Sequence, residues 1–182
     1  MRNFILSVAA LLALSISGTL HAELPVGTKA PGFTTVTAMA GKTGQFDLKS
    51  ALARGPVVLY FFPKAFTQGC TLETRAFAEA HDKFTAAGAT VLGLSADDIG
   101  TLKRFSVEEC RSKFAVGVAS PATIRAYDVA LRHEGLPAGL SDRTSYVIGQ
   151  DGRVKFVHSD LDYRDHVKLT LQAVQSLSGK SE

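Results

Sequence analysis

With 182 residues, 46% of them hydrophobic and 20% charged, the chain is long enough to bury one substantial core and has the composition of an ordinary globular protein. A formal charge of +3 is too small to argue for a nucleic-acid or membrane-surface partner. Its two cysteines, Cys70 and Cys110, have no CxxC spacing, so the usual signature of thioredoxin-type or cysteine-paired metal chemistry is missing.

The chain opens with Arg2, an almost wholly apolar run over 4–16, then Ser17, Gly18 and His21-Ala22 ahead of the polar Glu23. That is the pattern of a secretory signal peptide over residues 1–22. A retained anchor is the rival reading, but the run falls short of the ~20 apolar residues that a spanning helix needs. The expectation is an exported, periplasmic protein with no membrane attachment after cleavage, and a single domain over residues 23–182. In such an oxidising compartment a cysteine pair is either a static bridge or a redox-active one. A domain of this size does not need the bridge for stability.

Residues 31–36 and 46–48 predict an N-terminal extension with little regular structure. The run Pro56–Phe62 is continuous, apolar and rich in β-branched and aromatic residues, which fits a central strand covered on both faces. Leu72, Ala76, Ala80 and Phe84 recur every four residues and predict the core face of a helix from about Cys70 to Ala87, ended by Gly88. A buried strand follows over 89–95. Next come a helix over 98–109 with Ile99, Leu102 and Phe105 inward, a short strand within 113–118, and a short helix over 121–127 opened by Ser120 and Pro121. After a Gly- and Pro-containing loop over 132–142, Ser145–Ile148 and Val154–Val157 flank Gly149-Gln-Asp-Gly152, a hairpin signal. An amphipathic helix over 163–177 closes the chain. Strands alternating with helices, followed by a hairpin, predict a layered α/β domain with parallel strands at its centre and antiparallel strands at its edge, a thioredoxin-like plan.

The chemistry concentrates in Phe62-Pro63-Lys-Ala-Phe-Thr67-Gln-Gly-Cys70-Thr-Leu-Glu73. Cys70 falls in the first turn of the predicted helix, where free N–H groups and the helix dipole favour the anionic, nucleophilic form of a thiol. Thr67 brings a hydroxyl that both donates and accepts, and Pro63 fixes the loop entrance. Glu73, in the same turn, opposes a thiolate. The site therefore needs a cation, for which Arg143 at the mouth of the hairpin strand is the candidate. Cys110 lies eleven residues after Ile99, which brings it back to the apolar side of its helix. The residues alone leave it open as plain core or as a partner for Cys70. Histidines 81, 133, 158 and 166 show no metal-ligand spacing and are assigned to the surface.

Pro63, Thr67 and Cys70 match the Pro-x-x-x-Thr-x-x-Cys signature of peroxiredoxins. Gly27–Phe33, Leu94–Asp97 and Arg143–Ile148 with Gly152 resemble three further segments of that family, in the same order. The likeness spans nearly all of residues 23–182. Phe61-Phe62-Pro63-Lys64 resembles the Q-type branch, the bacterioferritin comigratory proteins. The resemblance implies that Cys70 is the peroxidatic cysteine, attacking the O–O bond of hydrogen peroxide or a small organic hydroperoxide and becoming a sulfenic acid. It implies that Thr67 and Arg143 orient the peroxide and that Pro63 shields the sulfur. It also implies no metal or organic cofactor, an external thiol or dithiol reductant of thioredoxin type, and a monomer.

Two departures qualify this. Many Q-type members carry a resolving cysteine five residues after the peroxidatic one, where this chain has Arg75. Others place it in the following helix, where Cys110 stands, so the resemblance makes Cys110 the candidate resolving cysteine. Gly117–Ser120 replaces a Leu-Ser-Asp-like turn. A glutathione-peroxidase-like enzyme would need a catalytic tryptophan, and the chain has none. A copper-delivery module would need a second cysteine at position 74, which is Thr.

Overall fold

The computed structural model describes residues 23–132, 135 and 137–179; the predicted signal peptide lies outside them, as does His133. Seven strands form one mixed sheet: β1 (Thr34–Met39), β2 (Lys42–Asp47), β3 (Val57–Phe61), β4 (Thr90–Ser95), β5 (Ala115–Val118), β6 (Thr144–Ile148) and β7 (Val154–Ser159). Their spatial order is β2-β1-β5-β4-β3-β6-β7. The β3–β4 and β4–β5 pairs are parallel, and every other pairing is antiparallel. The helices are α1 (Leu48–Leu52), α2 (Gln68–Ala86), α3 (Ile99–Glu108), α4 (Pro121–Ala126) and α5 (His166–Leu177), with a 3-10 turn at Tyr163–Asp165 before α5.

β3 shows why the continuous apolar run had to be central. Val58, Tyr60 and Phe62 point into one core, with Phe77 and Phe84 of α2, Leu102 and Phe105 of α3 and Val174 of α5. Val57, Leu59 and Phe61 point into the other, with Leu48 and Ala51 of α1, Ile124 of α4 and Tyr127. A strand whose alternate side chains are buried on both faces carries no polar alternation. Tyr60 stacks on Phe77 at 4.3 Å between ring centroids, and Phe62 stacks on Phe105 at 5.4 Å. These rings share one core cluster with Cys70 of α2.

Helix boundaries follow their caps. Asp98 accepts from Thr101 N and Ser120 from Thr123 N, opening α3 and α4. Gly88, at φ +79°, takes the left-handed turn that ends α2, while Ala89 N bonds back to Phe84 O.

Two expectations are corrected. The supposed extension is a hairpin: β1 and β2 pair in register from Thr34↔Asp47 to Met39↔Lys42 through a two-residue turn, Ala40-Gly41, in which both φ values are positive. β2 is the sheet's outer strand and is mostly exposed, so burial imposes no apolar alternation on it. The inward face of α2 is also shifted from the predicted stripe. Leu72 is 37% exposed, and the buried positions are Cys70, Glu73, Thr74, Phe77, Ala78 and Phe84. Glu73 and Thr74 go inside because polar partners wait there: Arg143 for the carboxylate and the Tyr60 hydroxyl, 3.1 Å from Thr74 Oγ1.

Candidate active site

Pairing of β3 with β6 builds the site. Phe61, the last residue of β3, lies opposite Thr144, the first of β6. The chain leaving β3 therefore turns into the start of α2 directly beside the segment that carries Arg143. Two side chains fix that turn. Ser141 Oγ donates to Phe62 O at 2.9 Å, and Asp97, just past β4, accepts from Ala65 N at 2.7 Å and from Ser95 Oγ at 2.9 Å. Phe66 holds φ at +65°, an unusual conformation for a bulky residue. Its ring rests edge-on against Phe105 and under the Arg104 guanidinium.

Cys70 sits in the first turn of α2 and is 1% exposed. Arg143, 5% exposed, spends its guanidinium on three partners. Nε donates to Leu161 O at 2.9 Å, Nη1 to Glu73 Oε2, and Nη2 lies 3.5 Å from Cys70 Sγ. A Cβ at position 69 would stand 3.0 Å from Nη2, so glycine there lets the guanidinium lie against the helix turn. The predicted cation is thus in contact with the sulfur, and the carboxylate expected to oppose the thiolate is bonded to that same cation. Burial raises the Glu73 carboxyl to about 8, against the downward pull of Arg143.

Thr67 precedes α2 at its N-cap position and makes no capping bond with its side chain; its hydroxyl instead donates to Lys64 O at 2.9 Å. It is exposed at the mouth of the turn, and Pro63 is half-buried behind it. Cys110 is 0% exposed. Burial pushes its thiol far above the ordinary range, and the Glu109 carboxylate pushes the same way. Neither cysteine is in a disulfide.

Arg75, which stands where many Q-type members have their second cysteine, reaches across to Glu109 at 2.5 Å. Glu79 with Arg111 and Asp82 with Lys113, each at 3.3 Å, continue this into a ladder of three ion pairs between α2 and the Cys110 segment. Within that segment Arg111 and Ser112 are both left-handed, at φ +48° and +58°.

His166 corrects its surface assignment. It is fully buried at the start of α5. Nε2 donates to Asp160 O at 2.9 Å, Nδ1 lies 2.8 Å from Ser145 Oγ, and Nδ1 faces Glu73 Oε1 at 3.6 Å. Burial lowers its imidazole to about 4. His166 shares its buried face with Thr170 and Val174, of which only Val174 is apolar, so that face carries little hydrophobic signal. Asp97 and Ser145 fall within the segments that resemble the family, but the sequence of those segments does not mark either as a brace.

Residues 26–157 match the AhpC/TSA family. Peroxiredoxin Q of Populus jackii is 32% identical over 168 residues, covering 90% of this chain and 74% of the relative. The Arabidopsis thaliana peroxiredoxin Q is 30% identical over 169 residues, covering 89% and 72%. Among solved structures, Xanthomonas campestris peroxiredoxin Q aligns with a TM-score of 0.68 at 26% identity, covering 79% of this chain and 90% of that one. Mycobacterium tuberculosis BcpB aligns with a TM-score of 0.73 at 25% identity, covering 86% and 99%. Both the matched span and the fold that sets Cys70, at the start of α2, against Arg143, just ahead of β6, lead to one assignment: the chain belongs to the AhpC/TSA family and is a thiol-dependent peroxidase of the peroxiredoxin Q kind.

Proposed function

We propose that Cys70 is the nucleophile of this peroxidase and Cys110 its resolving partner. The single observation that carries the reading is the Arg143 guanidinium 3.5 Å from Cys70 Sγ, a fixed cation at the sulfur in a site closed to bulk water. The thiolate attacks the terminal oxygen of R–O–O–H. The S–O bond forms as the O–O bond breaks, Cys70 becomes a sulfenic acid, and RO⁻ leaves to take a proton as ROH. Arg143 steadies the charge passing to the departing oxygen, the Thr67 hydroxyl holds the peroxide at the mouth, and Pro63 keeps water from the sulfur. The Cys110 thiol then displaces hydroxide from sulfur, giving a disulfide and water. An external dithiol of thioredoxin type returns both cysteines to thiols.

Hydrogen peroxide and small organic hydroperoxides are the proposed substrates. Alkyl peroxide reduction is an activity of the Xanthomonas campestris bacterioferritin comigratory protein. For the cellular setting we propose export through a signal peptide at residues 1–22 and a monomeric mature protein, of which residues 23–182 form one domain. Among the described residues no helix is long and apolar enough to cross a membrane. N-terminal sequencing of the protein from a fractionated cell checks the cleavage.

The deciding experiment is intact mass of the reduced protein seconds after one equivalent of hydrogen peroxide. Loss of two hydrogens, absent in Cys70→Ser, is the expected result. A gain of one or two oxygens removes Cys110 from the cycle, and an unchanged mass removes Cys70.

A further inference from the structure

Glu73 Oε1 is, among the described residues, the one buried side-chain oxygen or nitrogen without a hydrogen-bond partner. An ionised carboxylate in that position would be costly, because Oε1 faces only the lone-pair side of His166 Nδ1 at 3.6 Å. The Nε2 proton is already committed, since the Asp160 carbonyl can only accept. Charge makes the same point. With Cys70 as thiolate and Glu73 ionised, two buried anions would share Arg143, among the described residues the one buried Lys or Arg, leaving one negative charge uncompensated.

The other titratable or charged groups that face the pair are His158, Tyr60, Asp160 and Arg164. His158 of β7 is half-buried with its ring 4.5 Å from that of His166. Tyr60 of β3 is a buried neutral hydroxyl. Beyond the 159–162 turn, Asp160 is exposed and Arg164 is exposed and committed to Asp162.

We propose that Glu73 and His166 hold one proton between them, so that the pair is electrically neutral and the charge of Arg143 is left to the Cys70 thiolate. With the proton on Oε1, the carboxylic acid faces Nδ1 across 3.6 Å and becomes a hydrogen-bond donor to it once that contact shortens. With it on Nδ1, imidazolium and carboxylate face each other. Both arrangements have the same net charge; in the first the Ser145 hydroxyl, 2.8 Å from Nδ1, shares the single Nδ1 lone pair with the acid, and in the second it accepts from Nδ1–H. Glu73 and His166 act through Arg143 and so are positioning residues. Loss of the shared proton at alkaline pH turns Glu73 into a full competitor for Arg143, and the reaction with peroxide slows. The proposal rests on the reading of Cys70 and Arg143 as the reacting pair.

Two measurements test it. The first reads the proton directly in the reduced wild-type protein, from the Glu73 carboxyl carbon and the His166 ring nitrogens by nuclear magnetic resonance through a pH titration. The expected state at neutral pH is either a protonated carboxyl with a neutral ring or a carboxylate with an imidazolium. A carboxylate beside a neutral ring overturns the proposal. The second uses Glu73→Gln, which keeps an acceptor for Arg143 and a donor for Nδ1. The alkaline decline in its rate constant with hydrogen peroxide, present in the wild type, disappears, whatever its rate at neutral pH, and a decline that persists overturns the proposal. If Glu73 is ionised in the wild type, removing its charge instead shifts the acid limb of the rate profile down by about one pH unit or more. A wild-type protein inert to peroxide would sink the site reading while leaving the resonance measurement to decide the shared proton.

Discussion

Cys70 and Cys110 are equally hidden from solvent, both lie in the same core cluster, and they sit in opposite electrostatic surroundings. Cys70 occupies the first turn of a nineteen-residue helix with a guanidinium against its sulfur. Cys110 follows the end of α3 with a carboxylate as its sequence neighbour and burial opposing its thiolate. The difference teaches that burial alone does not make a thiol inert. What counts is the charge buried with it. It also divides the work mechanically. The surroundings of Cys70 are held by buried bonds from β3, β6 and the segment after β4, whereas the Cys110 segment is held by an ion-pair ladder and a left-handed turn at the surface.

The largest break in this contrast is expected from Arg143→Lys. A lysine keeps the charge but cannot serve Leu161 O, Glu73 and Cys70 together, so the rate constant with peroxide should fall about a hundred-fold, as stopped-flow measurement would show. An unchanged rate would mean that charge alone suffices.

Cys110→Ser sharpens the contrast from the other side. The first oxidation should stay within about two-fold of wild type, because Cys110 contributes nothing to the anion site, while sulfinic acid at Cys70 accumulates several-fold more in mass spectra under repeated peroxide pulses. Equal over-oxidation would return Cys110 to a packing role.

A third prediction concerns stability. The Glu73 carboxyl is raised from 4.5 to about 8, so the folded protein holds that proton more tightly than the unfolded chain, and stability falls as pH rises between those values. His166 is lowered from 6.5 to about 4, so its contribution is present above 6.5 and is lost as pH falls toward 4. Thermal unfolding should therefore show a Tm that declines on both sides of mildly acidic pH. Glu73→Gln should recover several degrees on the alkaline side only. The smallest effect is expected at the ladder. Arg75→Gln removes the half-exposed partner of the buried Glu109 carboxylate, a pair worth about 1 kcal/mol, and bridging of oxidised Cys70 by Cys110 should quicken about two- to five-fold in a rapid-quench mass assay.

Much of the fold was legible where burial forces a pattern. The apolar run at 56–62 had to be a two-faced strand, and Gly88 had to end a helix. The β1–β2 hairpin was not legible, because an exposed outer strand need not alternate and its Ala40-Gly41 turn lacks the usual Asn or Asp. In the site, the turn position of Cys70 and the need for a cation followed from elementary electrostatics. Arg143 as that cation was nameable because it opens a recognisable strand. The buried face of α2 was misplaced because Glu73 and Thr74 break the apolar rule with partners that lie seventy residues downstream and fourteen upstream. His166 was hidden for the same reason: a polar residue is assigned outward until its partners, Ser145 and Asp160, are in view.

The ladder between α2 and the Cys110 segment has one more consequence. Dissolved ions compete with exposed charge pairs over distances of about 8 Å at physiological ionic strength, yet they do not enter the closed contact between Arg143 and Cys70. Raising the salt concentration should leave the attack on peroxide untouched and hasten the proposed bridging step, so that the ionic strength of the surroundings acts on the proposed cycle at its second stage alone.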